Sequence, residues 1–234
     1  MRLRLPLPAS VALVLVTVVL GGCGSSGGSS GNGVSSKTPS EIVAAAKAAA
    51  DGAGSVHVTG SIVSSGSPVT LDMELLAGKG GRGQISENGL SFDLIDVGGT
   101  VYISGSPAFY SHFGGPAAAQ LLQGKWLKVP ATNGNFSTLG SLTNLSELLD
   151  TALADHGALA KGATTTVDGQ QVLSVTDASH GGTLYVATTG RPYPIQITKS
   201  GASGGKIAFG SWNAPVSLAA PKNAIELPQL QAQR

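Results

Sequence analysis

Hydrophobic and polar residues alternate along much of the chain after residue 55, with the period of two that is typical of strands burying one face. Three stretches show the pattern clearly: Val56–Ile62, Val69–Leu75 and Leu90–Leu94. Short connections rich in Gly, Ser, Pro and Asn separate them, as in hairpin turns. The pattern therefore predicts an antiparallel meander that continues through Val101–Ser104 and Trp126–Val129.

Two longer segments have helical spacing instead. The first, Pro39–Asp51, is rich in Ala and follows a capping box that begins at Thr38. The second, Ser141–His156, repeats leucines at helical intervals, at Leu142, Leu145, Leu148 and Leu149. A shorter helix is predicted near Pro116–Gln123. The leucine stripe needs an apolar surface to cover, and the apolar face of the predicted sheet provides one.

Alternating segments resume after the second helix. They lie at Thr164–Val167, Gln170–Thr176, Thr183–Ala187, Tyr193–Thr198 and Lys206–Phe209. An Asp-Gly pair joins the first two and favours a tight hairpin. Together these elements predict an α+β fold, in which a long, curved antiparallel β-sheet carries helices packed on one face.

The N-terminal segment has the pattern of a bacterial lipoprotein signal. Arg2 and Arg4 precede the apolar run Val11–Leu20, and the sequence Leu-Gly-Gly-Cys that ends at Cys23 fits the site at which lipoproteins are acylated and cleaved. The run has ten residues, whereas a membrane-spanning helix needs roughly twenty. We therefore predict a signal peptide over residues 1–22 and a lipid anchor at Cys23, in preference to an ordinary buried thiol.

This signal sets the predicted organisation of the chain. Residues 23–37 are the acylated cysteine and a flexible Gly/Ser linker, and residues 38–234 form one folded domain. The mature protein is expected outside the cytoplasm, lipid-anchored to the cell membrane. Cys23 is the single cysteine, which excludes a disulfide within the chain and zinc sites built from several cysteines.

Composition narrows the choice of partners. The chain has 14 Lys and Arg against 13 Asp and Glu, and loss of the signal removes two arginines. A net charge this close to zero does not attract the protein to nucleic acid or to anionic headgroups. No nucleic-acid partner is therefore expected. A content of 12% charged and 41% hydrophobic residues is far from that of disordered chains.

The sequence motifs that could indicate catalysis or ligand binding have low specificity. Gly78–Gly83 matches G-x-G-x-x-G but lies between two strand patterns, which predicts a hairpin loop and not a phosphate site. Asp72 and Glu74 share one strand face, where charges normally meet solvent. The four histidines, His57, His112, His156 and His180, lack the close spacing of metal ligands. We therefore predict no catalytic residues, no metal site and no cofactor.

An aromatic stretch interrupts the second half of the meander. Tyr102, Phe109, Tyr110 and Phe113 surround Gly- and Pro-containing turns. The stretch is predicted to be a loop that acts either as a cavity mouth or membrane-facing lip, or as a hydrophobic plug.

The order of these pieces resembles that of the LppX/LprAFG-type lipoproteins of mycobacteria and their relatives. The shared pieces are the lipobox, the Ser/Gly linker, the Ala-rich helix, the first strand at Ser55–Val58, the Trp126–Pro130 segment, the later Val-Asp-Gly hairpin and the closing Pro221–Ile225 segment. The resemblance covers most of the mature chain. It implies a half-barrel similar to the LolA and LolB carriers, with a hydrophobic cavity for acyl chains and no catalytic residues. Cys23 is the one residue whose role carries over.

Such a cavity would be lined by apolar side chains of the inner sheet face and the central helix. The candidates are Val58, Leu71, Met73, Phe92, Leu94, Leu145, Leu148 and Leu149. If the space between them is open, it is a pocket for alkyl chains; if it is closed, the same residues form an ordinary core. The first case predicts a non-catalytic envelope lipoprotein that binds or carries lipid or glycolipid. The second predicts a surface-anchored scaffold or protein-binding module whose partner is another envelope protein.

Overall fold

The computed structural model describes residues 31–64, 66–133, 137–154 and 156–226. The predicted signal peptide, Cys23 and the Gly/Ser tract to residue 30 lie outside the described residues, as do residues 227–234.

The described residues form a 3-10 turn, four α-helices and twelve strands. The helical elements are the 3-10 turn Val34–Ser36, α1 (Pro39–Asp51), α2 (Pro107–Leu122), α3 (Ser137–Leu142) and α4 (Leu145–Ala154). The strands are β1 (Ser55–Ser64), β2 (Ser67–Leu76), β3 (Gly80–Glu87), β4 (Leu90–Val97), β5 (Thr100–Gly105), β6 (Trp126–Pro130), β7 (Leu159–Val167), β8 (Gln170–Asp177), β9 (Gly182–Ala187), β10 (Pro194–Lys199), β11 (Gly205–Gly210) and β12 (Ala224–Glu226).

All twelve strands belong to one open, curved sheet. Their order is β12-β6-β5-β4-β3-β2-β1-β11-β10-β9-β8-β7, and every neighbouring pair is antiparallel except β12 with β6. The predicted α+β half-barrel is therefore confirmed. We call the end of the sheet at which β1, β5, β8 and β10 finish the upper rim, and the end at which they begin the lower rim.

Helix α1 begins and ends where the sequence predicts. The backbone N–H of Glu41 donates to the Thr38 hydroxyl (3.4 Å), and the Glu41 carboxylate accepts from the backbone N–H of Thr38 (2.8 Å). Gly52 caps the C-terminus. The helix buries Ile42 and Ala46, because only small and apolar residues occupy the face that it turns to the sheet.

Helix α2 differs from its prediction. It begins at Pro107, so Phe109, Tyr110 and Phe113 of the predicted aromatic loop lie in the first half of a helix, while Tyr102 lies in β5. Ser106 accepts a hydrogen bond from the backbone N–H of Phe109 (3.1 Å), which is an N-cap followed by proline at the first helical position. Gly115 has a φ of 80° and kinks the helix ahead of Pro116. Because of this break, the sequence pattern predicts only the second half of the helix.

The predicted helix Ser141–His156 is divided into α3 and α4. Thr143 lies at the break, where its hydroxyl donates to the buried carboxylate of Asp96 (2.8 Å). The amide oxygen of Asn144 accepts from the backbone N–H of Ser146 (3.1 Å) and caps α4. The polar Thr-Asn pair therefore interrupts a leucine pattern that looks continuous.

The glycine-rich segment Gly78–Gly83 is only partly a loop. The strand β3 begins at Gly80, and no helix follows the glycines, as the sequence argument against a phosphate site requires. A Cβ on Gly83 would overlap the carbonyl oxygen of Asp72 and lie 2.7 Å from the sulfur of Met73. Glycine at this position therefore leaves room for the backbone of Asp72 and the side chain of Met73 in the paired strand β2.

The packed part of the domain begins earlier than residue 38. Within the predicted linker, Asn32 donates from its backbone N–H to the carbonyl of Thr188 and from its side-chain amide to the carbonyl of Ala187, both at 2.8 Å. Val34 is 1% exposed. It is the one apolar residue between Cys23 and Thr38, and its burial attaches this end of the predicted linker to the lower rim.

Two large clusters make up the core. The main cluster lies between the inner face of the sheet, α2 and α4. The second cluster lies between α1 and the strands β8 and β9, and consists of Val34, Ile42, Ala46, Leu173, Val175, Leu184 and Val186.

Candidate functional site

The structure brings together the eight residues that the sequence nominated as cavity lining. All eight belong to the main cluster. Six are buried (Val58, Leu71, Met73, Leu94, Leu145 and Leu149), while Phe92 and Leu148 are half-buried and pack against them. In this conformation their side chains pack against one another between α4 and the sheet.

Open volume lies beside this cluster, between α1, the C-terminal half of α4 and the strands β7 to β10. It consists of an outer pocket of about 480 Å³ and an inner pocket of about 100 Å³. Both are lined by Val43, Leu153, His156 and Leu159, so they adjoin. We call the two pockets together the groove. The outer pocket is within the size range of about 300–1,000 Å³ that is usual for small-molecule sites.

The walls of the groove are largely apolar. Val175 and Leu184 of the second cluster are buried at its inner end. Leu159, at the start of β7, is half-buried and packs against the same cluster. Ile197 of β10 lines the inner pocket and packs against both clusters. The inner end of the groove is therefore continuous with the main cluster.

A buried carboxylate lies beside the inner pocket of the groove, at the upper rim. Asp177 accepts hydrogen bonds from the backbone N–H of Gly157 (2.9 Å), the hydroxyl of Ser179 (2.6 Å) and the backbone N–H of Ser179 (2.9 Å), and its Oδ2 is 2.8 Å from Nδ1 of His180. The Ser179 hydroxyl and the Gly157 N–H hold the pKa of Asp177 well below its usual range. The carboxylate thus fastens the segment before β7 to the turn between β8 and β9.

Replacing Asp177 with Asn is expected to lower the free energy of unfolding at pH 7. Because the pKa is lowered on folding, the ionised carboxylate stabilises the fold above its unfolded value of about 3.9, and this contribution is lost as the pH falls through the folded value. Urea unfolding at pH 7 and pH 3 should give a gap between wild type and variant that narrows at pH 3. Asp168→Asn, in the exposed turn before β8, is the control, and a pH-independent gap for Asp177→Asn would contradict the assignment.

Ion pairs join the two helices that border the groove. Lys47 of α1 lies 2.7 Å from the carboxylate of Asp51 and 3.3 Å from that of Asp150 in α4. The hydrogen bond to Asp51 raises the pKa of Lys47. These groups are partly exposed, so the pairs position α1 against α4 more than they stabilise the fold.

Three of the predicted polar candidates, His57, Asp72 and Glu74, line one open pocket. His57 lies 2.6 Å from Asp72 on the outer face of the sheet, where Glu74 pairs with Arg82 at 2.7 Å. Within the described ranges, no three His, Cys, Asp or Glu side chains are grouped closely enough to hold a metal ion. Over the same residues, no helix has the length and apolar character needed to cross a membrane.

Sequence reasoning missed the residues of the groove. Val43, Leu153, Leu159 and Ile197 come from α1, α4, β7 and β10. The sequence held one signal for the groove. Val43 and Leu153 are large apolar residues on helices whose exposed positions are otherwise small or polar.

Comparison with known proteins shows the fold. No protein-family model and no curated protein sequence matches the chain. The crystal structure of LprF from Mycobacterium bovis is 15% identical, with a TM-score of 0.51, and the match covers 78% of this chain and 96% of LprF. The lipoprotein LppX from Mycobacterium tuberculosis is 17% identical, with a TM-score of 0.51, and the match covers 78% of this chain and all of LppX. The expected resemblance to LppX/LprF-type lipoproteins is therefore confirmed at the level of the fold.

Proposed function

We propose that this protein is a cell-envelope lipoprotein that binds or carries the acyl chains of a lipid or glycolipid and catalyses no reaction. The observation that carries the proposal is the groove between α1, α4 and the strands β7 to β10, whose apolar walls lead from solvent to the core. The half-barrel fold, similar to that of the lipoproteins LppX and LprF, agrees with this function.

Burial of the alkyl chain would supply most of the binding energy for such a role. Each methylene removed from water contributes about 0.8 kcal/mol, so roughly ten methylenes contribute ~8 kcal/mol before the cost of association is subtracted. Most of the wall area is apolar, although the lining also includes the charged side chains of Lys47, Asp150 and Lys199. The groove therefore favours an alkyl chain.

The eight nominated residues extend this proposal into the core. Because Ile197 touches both clusters, a chain longer than the groove would advance between α4 and the sheet. There it would separate Leu145, Leu148 and Leu149 from the inner strands. The cavity predicted from the sequence is thus proposed to be the deep part of the site, which is packed in the absence of a chain.

The alternative is a surface-anchored scaffold or protein-binding module with a closed core. The close packing of the main cluster favours it. The apolar groove favours lipid binding over this alternative, because a binding module with a closed core does not need an apolar groove.

The lipid anchor at Cys23 and the signal peptide over residues 1–22 are part of the same proposal. Acylation at Cys23 would hold the domain outside the cytoplasm on the cell membrane, which is where a lipid carrier needs to act.

Binding of a fluorescent fatty acid tests the proposal. A soluble form that begins at Gly24 should raise the emission of the probe and saturate near one probe per chain, because the groove removes the alkyl chain from water. Unlabelled fatty acid should displace the probe. If emission does not change at micromolar protein concentrations, the scaffold alternative is favoured.

A further inference from the structure

The first half of α2 ends in an exposed aromatic side chain. Phe113 is 65% exposed, more than any other large hydrophobic side chain in the described part of the chain. Its ring lies 4.9 Å from that of Phe109, which lies 4.9 Å from that of Phe92 in β4. This aromatic row leads from solvent to the main cluster, so Phe113 is held outward by packed neighbours.

The helix that carries Phe113 contributes no charged side chain. Residues 106–124 include no Asp, Glu, Lys or Arg. The exposed neighbours of Phe113 along the helix include His112, Pro116 and Ala117, and none of them is acidic, lysine or arginine. Charged side chains are costly to move into a lipid environment, and α2 has none. A helix without charges also lacks the paired groups that usually set the orientation of a protein partner.

The chain between Cys23 and the domain limits how far the domain can be from a membrane. Asn32, bonded to Thr188 at the lower rim, is nine residues from Cys23. Nine residues reach at most about 30 Å, which is close to the length of the ten-residue strand β1 at about 3.3 Å per residue. Only an almost fully extended tether can therefore bring the upper rim to the bilayer. The tether also keeps the domain close enough to the membrane for a weak contact to matter.

The upper rim carries α2, and the groove reaches the same rim. Helix α2 follows Gly105, where β5 finishes, while both pockets of the groove are lined by Leu159, where β7 begins at that rim. A bilayer that contacts Phe113 therefore lies at the rim that the groove also reaches.

We propose that α2 contacts the bilayer that holds the Cys23 anchor, with Phe113 inserted among the lipid chains and the uncharged face of the helix at the headgroup level. This inference rests on the proposed lipid anchor and deepens the proposed function, because it lets an acyl chain pass between membrane and groove with little exposure to water.

A fluorescent label beside Phe113 tests the contact. Ala117→Cys, labelled with an environment-sensitive dye in the acylated full-length protein, is placed in phosphatidylcholine vesicles that contain chain-brominated lipid. Lys79→Cys at the lower rim, also exposed, is the matched control. We expect at least twofold quenching at residue 117, little at residue 79, and a loss of most quenching at residue 117 when Phe113→Ser is added.

The outcomes separate this inference from the proposed function. Quenching at neither position, or equal quenching at both, overturns the contact through α2. Shielding of the dye at residue 117 from both brominated lipid and aqueous iodide points to a protein partner and also overturns it. Uptake of the fluorescent fatty acid by the soluble Phe113→Ser form should equal that of wild type, so a failure of uptake itself counts against the groove and not against α2.

Discussion

Replacing Leu159 with Trp is expected to abolish fatty-acid uptake. Leu159 lines both pockets of the groove and is half-buried, so an indole at this position fills space that the alkyl chain would occupy. We expect the affinity for the fluorescent fatty acid to fall at least tenfold, which corresponds to about 1.4 kcal/mol. Leu153→Trp, on the α4 side of the groove, should have the same effect.

Val167→Trp is the matched control for this prediction. Val167 is half-buried at the other end of β7 and packs against a small cluster away from the groove. It should bind the probe like wild type. Uptake by Leu159→Trp at wild-type affinity, with the fold retained in circular dichroism, would mean that the groove is not the binding site.

Trp substitutions in the main cluster give a weaker test. Leu94 and Leu145 are buried in the packed core, where an added indole is expected to cost about 1–3 kcal/mol of stability through overpacking. Loss of uptake in these variants would therefore mix a blocked site with a disturbed fold. The half-buried residues of the groove avoid this ambiguity.

Replacing Cys23 with Ala is expected to move the protein from the membrane fraction to the aqueous fraction. Two acyl chains hold a protein stably on a bilayer, because each buried methylene contributes about 0.8 kcal/mol. Without the thiol there is no acceptor for the first of them. Cell fractionation and the mass of the N-terminal peptide measure the effect, with Ser25→Ala as the control in the same tract. If Cys23→Ala protein stays with the membrane, another segment holds it there.

Local patterns predicted much of the fold. The capping box at Thr38 and the glycine at residue 52 set both ends of α1, because caps act within one helical turn. Alternation located most strands, since a half-buried strand must place apolar side chains on one face. Gly115 hid the first half of α2, because a break in helical propensity does not show whether a helix ends or only kinks.

The parts that sequence missed depend on contacts between distant residues. Asn32 is held by the carbonyl of Ala187, 155 residues away, and no local pattern encodes that pairing. The three-residue strand β12 is defined by its parallel register with β6. The same holds for the groove, whose walls come from four elements. Whether the space under α4 is open depends on how closely these elements pack, which composition and periodicity do not set.

Native mass spectrometry tests the central claim most directly. The protein should begin at Gly24, because a form that begins after Asn32 loses the contacts of Asn32 and then of Val34. It should be purified from a mycobacterial expression host. The account predicts an added mass that denaturation releases as a lipid with alkyl chains, absent from Leu159→Trp and retained by Val167→Trp. A mass of the bare chain that stays unchanged after incubation with envelope lipids would contradict lipid binding.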